Sequence, residues 1–146
     1  MSNLEIKIQK TKLAKHLEES LKIKWELEHQ FPYDAGFDLR ACIERTLIIL
    51  PTGHTSIPTG IHVEFSKPNW EMQVRPRSGL AAKNGVTVLN SPGTVDFGYR
   101  KEIHVILYNC VVYEDFYINP GDRIAQACFR EVRSKFHICR CGFRNN

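Results

Sequence analysis

The sequence lacks any apolar run near the roughly 20 residues that a membrane-spanning helix needs. Its first residues, MSNLEIKIQKTKLAKHL, do not contain the continuous apolar core of a signal peptide. Internal repeats, linkers and low-complexity stretches are also missing. These absences predict a cytoplasmic protein that has one main domain and no membrane partner.

An excess of charge of one sign is also missing. The formal net charge of the 146 residues is only +4 at pH 7. A charge so small and so dispersed does not indicate nucleic-acid binding, although it suits a polyanionic small molecule. We therefore expect no nucleic-acid partner.

Cysteines are few and odd in number. A structural zinc site needs four well-spaced ligands, and the C-x-C pair near the end of the chain has no matching second pair. Without an export signal, the cysteines are better interpreted as free, reduced thiols than as disulfides. The five are Cys42, Cys110, Cys128, Cys139 and Cys141.

The segments that are present favour a β-sheet protein with a helical start. Leu13, Leu17 and Leu21 recur every four residues within a Lys- and Glu-rich segment, so residues 1–22 are predicted to form a short amphipathic N-terminal extension. Short β-branched and aromatic segments follow, separated by Pro, Gly and Asn. The predicted strands are LKIKWELE, FDLRACI, TLIIL, TSIPTGIHVEF, WEMQVRP, EIHVILYN, DFYI and RIAQACFREV.

Many short strands at regular spacing predict an all-β sandwich, barrel or jelly roll. We assign residues 23–138 to this β domain and residues 139–146 to a short C-terminal tail.

The tripeptide Arg77-Ser78-Gly79 combines three groups that suit a phosphate. Arg can donate two hydrogen bonds to phosphate, Ser can donate another, and Gly allows a backbone N–H to come close. The alternative is a turn into a short helix, AAKNG, with a solvated arginine.

The segment from Asn90 to Tyr99 is dense in turn residues between two strand-like runs, which predicts a long hairpin. Such a hairpin could read a flat base through main-chain groups and Asn90. Asp96 stands between Val95 and Phe97, where a carboxylate could act as a general base toward water. Its alternative role is to cap a turn.

Two further polar residues lie in strand-like runs. Asp38, near a strand start, could hold waters around a hard cation such as Mg²⁺. Gln126 is either a cross-strand hydrogen-bonding residue or a ligand to phosphate and metal-bound water.

Four ordered segments across roughly residues 32–130 resemble the first four motifs of the homotrimeric dUTPase family. They are AGFDL, RPRSGLAAKNGV, NSPGTVDFGYR and PGDRIAQ. The resemblance implies a jelly-roll fold, a homotrimer with shared active sites, Mg²⁺ as cofactor, and hydrolysis of dUTP to dUMP and pyrophosphate. That activity limits uracil in DNA and supplies dUMP.

The resemblance also implies a role for each matching residue. Asp96 would deprotonate the water that attacks the α-phosphorus and would meet the sugar 3′-hydroxyl, and Tyr99 would pack on the deoxyribose. Asp38 and Gln126 would act mainly through waters around Mg²⁺. The phosphate-binding residues would be Arg77, Ser78 and Gly79, and the uracil would be read by Asn90 and the backbone around Gly93, Thr94, Val95 and His104.

The tail departs from the family pattern. The fifth motif is Gly-rich with an Arg and a Phe, and only Arg140 and Phe143 resemble it here. The chain is therefore either an active hydrolase with a divergent tail or a dUTP-binding regulatory protein with weak turnover. The presence of Asp96 and Tyr99 favours the hydrolase. The related dCTP deaminase is a poorer match, since its second motif resembles Arg-Ser-Ser.

Overall fold

The structure, a computed structural model, describes residues 4–29 and 32–133 and contains eleven strands and two helices within them. The helices are α1 (Lys12–Leu21) and α2 (Ser78–Asn84). The strands are β1 (Ile6–Lys10), β2 (Phe37–Arg40), β3 (Leu47–Ile49), β4 (His54–Pro58), β5 (Ile61–Phe65), β6 (Trp70–Arg75), β7 (Val86–Val88), β8 (Gly93–Val95), β9 (His104–Asn109), β10 (Phe116–Ile118) and β11 (Arg123–Glu131). No helix in these two ranges is long and apolar enough to cross a membrane.

The strands form four antiparallel sheets with the jelly-roll-like arrangement that the sequence predicted. The largest sheet has the order β2-β11-β6-β8, and a second has the order β4-β9-β7. Two further pairs, β1-β5 and β10-β3, complete the described part of the fold. Neighbours are mostly distant in sequence, so the fold is held together by long-range pairing.

Alternating burial explains why these segments form strands. In β5, Ile61, Val63 and Phe65 point inward, and in β9, Val105 and Leu107 do so while their neighbours face outward. This two-residue period is the signature of a sheet with one face on the core. Asn109 is the one buried polar residue of β9, and its amide donates to the backbone oxygens of Ile49, Leu50 and Glu114.

The N-terminal region contains the predicted helix and also a strand. Thr11 caps α1 by accepting a hydrogen bond from the Ala14 N–H through its hydroxyl. Ala14 and Leu17 are buried, so α1 packs on the core. Residues 6–10, predicted as helical extension, instead form β1 and pair with β5. Their alternation of apolar and polar residues, IKIQK, fits a strand better than a helix.

The predicted strand LKIKWELE is wrong. Its first residue ends α1, and residues 22–28 have no strand structure. The apolar alternation there reflects burial on one side: Trp25 is fully buried, and its ring Nε1 donates to the Thr59 backbone oxygen at 2.8 Å. A segment that covers a core can alternate without pairing with another strand.

Two other predictions need adjustment. TSIPTGIHVEF forms two strands, β4 and β5, because Gly60 between them has a left-handed φ of 72°. The predicted hairpin has paired outer arms, β7 and β9, but the connection between them contains β8, which pairs with β6 in the other sheet. The helix predicted at AAKNG is present as α2 and ends at Gly85, which has a φ of 61°.

Candidate active site

The first group of polar residues lies where β6 ends and α2 begins. Arg77 immediately precedes α2, and Ser78 and Gly79 open it. Both Ser78 and Gly79 are exposed. A Cβ added at Gly79 would meet no atom within 4 Å, so the space beside it is open to a ligand.

Asp38 of β2 holds two arginines. Its Oδ1 accepts from Arg77 Nε at 2.9 Å, and its Oδ2 accepts from Arg123 Nη1 at 3.3 Å. Arg77 Nη1 also donates to the Arg123 backbone oxygen at 3.3 Å. The side chains of Asp38 and Arg77 are only 15% and 20% exposed, so this contact fixes the guanidinium more firmly than a surface pair would.

The register of the large sheet explains this grouping. Gln126 in the central strand β11 stands opposite Asp38 on one side and Arg75 on the other. Its side-chain Nε2 donates to the Pro76 backbone oxygen at 2.8 Å, which ties β11 to the residue just before Arg77. Gln126 is therefore a cross-strand hydrogen-bonding residue in this structure.

Gly36 leaves room for the Gln126 side chain. A Cβ at Gly36 would lie 2.0 Å from Gln126 Oε1 and 2.9 Å from its Cδ. Only glycine allows this close approach, so the AGFDL segment and Gln126 depend on each other.

These residues surround an open cavity of about 650 Å³. It contains three basic side chains, two of which are bound to the Asp38 carboxylate, and a second carboxylate, that of Asp34. Such a cavity is suited to an anion. The lining residues are Asp34, Ala35, Gly36, Asp38, Arg77, Ser78, Gly79, Leu80, Lys83, Asn84, Arg123 and Gln126.

The hairpin residues form a second group. Gly93 and Val95 of β8 are buried against β6, with Gly93 opposite Val74, while Thr94 between them is exposed. Asn90 is exposed, and its Nδ2 lies 3.3 Å from the position that a Cβ on Gly93 would take. A larger residue at Gly93 would therefore crowd the Asn90 amide.

Asp96, Tyr99 and His104 follow β8 and lead into β9. Asp96 is exposed, and its backbone oxygen accepts from the Tyr99 N–H at 3.0 Å, which closes a tight turn. The Tyr99 hydroxyl donates to the Glu102 backbone oxygen at 3.0 Å. His104 is exposed, with its Nδ1 3.2 Å from the Ser56 hydroxyl.

The structure of a single chain brings together only part of the predicted site. Asp38, Arg77, Ser78, Gly79 and Gln126 line the same cavity, although up to 88 positions separate them. A neighbouring cavity of about 510 Å³ shares Ser78 and Gln126 and reaches Ser91 and Pro92 at the start of the hairpin loop. Asp96, Tyr99 and His104 line neither cavity.

Sequence reasoning missed two cationic residues of the large cavity, Lys83 and Arg123. The signal for Arg123 was its place three residues before Gln126, and the signal for Lys83 was its place in the last turn of the helix that begins at Ser78. Arg140, Phe143, Cys139 and Cys141 lie outside the described residues.

Metal-binding groups are sparse where the chain is described. No group of three or more His, Cys, Asp or Glu side chains in residues 4–29 and 32–133 could hold a metal ion. Among the described cysteines, Cys42 and Cys128 are buried, Cys110 is exposed, and all three are free thiols. Several side chains with oxygen atoms line the cationic cavity: Asp34, Asp38, Ser78, Asn84 and Gln126.

The fold and the site together are those of an all-β, jelly-roll-like protein with an open cavity that contains three basic side chains. The family model described as dUTPase matches residues 25–141. The chain belongs to the dUTPase family.

Curated relatives agree with this assignment. The deoxyuridine 5′-triphosphate nucleotidohydrolase of Treponema denticola is 56% identical over 100 residues, which are 68% of this chain and 68% of that protein. The protein of the same name from Brucella melitensis is 50% identical over 100 residues, 67% of this chain and 62% of its own length. These names support hydrolysis of dUTP to dUMP and do not favour binding without turnover.

Solved structures share the fold. A dUTPase from phage phi11 of S. aureus, described with a structural Mg(II) ion, has a TM-score of 0.75 at 17% identity, covering 99% of this chain and 100% of that one. EIAV dUTPase has a TM-score of 0.69 at 24% identity, covering 97% and 99%. At such identities the likeness concerns the fold alone.

Proposed function

We propose that this protein hydrolyses dUTP to dUMP and pyrophosphate, which limits uracil in DNA and supplies dUMP. The observation that carries the proposal is the Arg77 cavity, in which Asp38 and Arg123 fix a guanidinium next to Ser78 and Gly79. Arg77 uses two of its five N–H donors on protein oxygens. The others can bind phosphate oxygens, as the matching residues of the family do.

Asp96 is the general base. A water oxygen forms a bond to the α-phosphorus, the bond from that phosphorus to the bridging oxygen breaks, and pyrophosphate leaves. The Asp96 carboxylate takes the proton of the attacking water. Its exposure in the turn after β8 supports this role, because water can reach it.

The charge that develops on the phosphate oxygens is stabilised by Arg77, with Ser78 and the Gly79 N–H as further donors. We add Lys83 and Arg123 as cations that raise the positive potential of the same cavity. The pre-ordered guanidinium needs little rearrangement when the substrate enters, since Asp38 already holds it.

The donor set fits Mg²⁺ that arrives on the triphosphate and keeps most of its waters. Asp38 and Gln126 offer oxygens at the cavity, but both Asp38 oxygens already pair with arginines, so Asp38 suits contacts through water better than direct ligation. Bound Mg²⁺ supplies charge neutralisation on the phosphates.

The residues between Asn90 and His104 select the substrate. Asn90 and the backbone around Gly93, Thr94, Val95 and His104 read uracil, and a mismatched base such as cytosine leaves polar groups unpaired. The Tyr99 ring packs on the deoxyribose and excludes a 2′-hydroxyl. Its exposure of 38% supports this role, because part of the side chain is accessible while the hydroxyl is fixed.

The active protein is a homotrimer with shared active sites. The separation of Asp96 and Tyr99 from the Arg77 cavity in one chain supports this arrangement, because a second copy can bring its hairpin to the cavity. We also infer a cytoplasmic location, which the free thiols Cys42, Cys110 and Cys128 support. Neither nucleic acid nor membrane is a partner.

The test is pyrophosphate release from dUTP, dCTP, dTTP and UTP in the presence of Mg²⁺. We expect release from dUTP and little from the others. Binding of dUTP in calorimetry without release from any nucleotide would contradict the hydrolase and favour a dUTP-binding regulatory protein. Deamination of dCTP would favour the deaminase instead.

A further inference from the structure

Tyr99 is held by a chain of hydrogen bonds whose members do not line the cationic cavity. Its hydroxyl donates to the Glu102 backbone oxygen at 3.0 Å, and its N–H donates to the Asp96 backbone oxygen at 3.0 Å. The hydroxyl and the backbone of Tyr99 are thus both held by bonds within the segment 96–102. The same segment carries the proposed general base.

Glu102 is itself anchored by its side chain. Its Oε1 accepts from the Gly60 backbone N–H at 2.7 Å, a partly buried contact that links residues 42 positions apart. A charged acceptor makes this bond stronger than a neutral one would be. The contact joins the β4–β5 turn to the segment that carries Tyr99.

Gly60 is the central member of this chain. While its N–H donates to Glu102, its carbonyl accepts from the Thr11 N–H at 2.9 Å, where α1 begins. A Cβ at Gly60 would lie 2.6 Å from the Ala14 Cβ and 2.8 Å from Cys42 Sγ. The close packing of α1 therefore keeps the Gly60 N–H in one place.

A second set of hydrogen bonds holds Ile103, the residue after Glu102. The buried Thr59 donates to the Ile103 backbone oxygen through its N–H at 3.0 Å and through its hydroxyl at 2.7 Å. The Thr59 carbonyl accepts from Trp25 Nε1 at 2.8 Å. Residues 102 and 103 are thus both tied to the Thr59–Gly60 turn, which the N-terminal helix and Trp25 hold from the other side.

We propose that Glu102 is a positioning residue that fixes the Tyr99 ring, and that the N-terminal strand–helix unit anchors it through Gly60. The proposal rests on the proposed function, since Tyr99 is there the residue that selects deoxyribose. Glu102 touches no substrate. It acts by preventing the segment 96–102 from shifting, so its loss lets the Tyr99 ring yield to a 2′-hydroxyl.

The experiment compares Glu102→Ala with Glu102→Gln, whose Oε1 can still accept from the Gly60 N–H. The matched control is Glu64→Ala, which removes an exposed carboxylate from β5. For each variant, kcat and KM are measured with dUTP and with UTP. Amide hydrogen exchange of residues 96–103 is followed without nucleotide.

We expect Glu102→Ala to lower the ratio of kcat/KM for dUTP to that for UTP by about tenfold, the size of one lost hydrogen bond. Exchange of the 96–103 amides is expected to accelerate in the same variant. Glu102→Gln restores most of the selectivity and protection, and Glu64→Ala leaves both unchanged.

A lower melting temperature for Glu102→Ala with an unaltered selectivity ratio would overturn the proposal, because Glu102 would then be structural only. Unaltered exchange of the 96–103 amides would overturn it as well. Failure of the unsubstituted protein to hydrolyse dUTP would count against the proposed function instead. The exchange measurement, with dUTP and UTP affinities from calorimetry, would then decide the positioning role.

Discussion

At the scale of single residues, the carboxylates of Asp38 and Asp96 lie in different environments. Its two oxygens each bind a different arginine, and the pair with Arg77 is mostly shielded from water. Asp96 is exposed, and its carboxylate makes no hydrogen bond or ion pair with any residue in the described ranges. Asp38 orders two cations and Asp96 stays accessible to water, so of these two carboxylates Asp96 is the better candidate for the proposed general base.

Asp96→Asn keeps the size of the side chain and removes its basicity. We expect kcat for dUTP to fall by roughly 10²–10⁴-fold, the usual contribution of a general base. The affinity for dUTP in calorimetry should change little, because the phosphate donors are elsewhere. An unchanged kcat would contradict the proposed mechanism.

The sequence indicates which residues have suitable chemistry, but it does not show which residues become neighbours. Arg77, Ser78 and Gly79 could be recognised locally, because their side chains and spacing suit a phosphate. The bonds from Asp38 to Arg77 and Arg123 could not, since they depend on β2 and β6 lying on either side of β11. No period in the sequence encodes which strands become neighbours.

At the scale of elements, α1 and β1 are integrated into the fold. Leu17 is 6% exposed and Ala14 is fully buried, while Leu21 on the same helix is 42% exposed. The four-residue spacing predicted the helix correctly. It could not predict that residues 22–28 would cover the core without pairing, since alternation records burial and not hydrogen bonding.

Leu17→Ala should lower the free energy of unfolding by about 2–5 kcal/mol, because it leaves a cavity beneath α1. Leu21→Ala removes the same atoms from a half-exposed site and serves as the control. Urea unfolding of the two variants measures the difference. Equal losses would show that α1 is not packed as described.

Acid should weaken the N-terminal unit through Glu18. The hydrogen bond from Lys10 and that from the Trp25 N–H lower the pKa of its carboxyl group. A lowered folded-state pKa contributes stability above the unfolded-state value, and this contribution disappears as pH falls through the lowered pKa. Glu18→Gln should therefore be less stable near pH 7 and show a flatter acid limb. Parallel pH profiles of melting temperature would contradict this.

At the scale of the whole molecule, the described surface contains a group of exposed apolar side chains. Ile48 and Tyr117 are cross-strand partners on β3 and β10, and both are about half exposed. Leu50, Val112 and Tyr113 are also exposed. The Asn109 amide donates to the backbone oxygens of Leu50 and of Glu114, which follows Tyr113. A second copy of the chain that packed on these apolar side chains would remove them from water.

Shared active sites predict complementation between two inactive variants. Arg77→Ala lacks the phosphate-binding guanidinium and Asp96→Asn lacks the base, so each homotrimer should be nearly inactive. If one copy supplies Arg77 and its neighbour supplies Asp96, trimers that contain both variants should recover about a third of the wild-type rate, because one of the three sites in each such trimer then receives both intact residues. The two variants would be co-expressed with different affinity tags, and pyrophosphate release would be measured on the doubly purified species.

The control is a double variant that carries both changes in one chain, and its homotrimers should show no activity. Absence of recovery in trimers that contain both chains would mean that Arg77 and Asp96 act within a single copy.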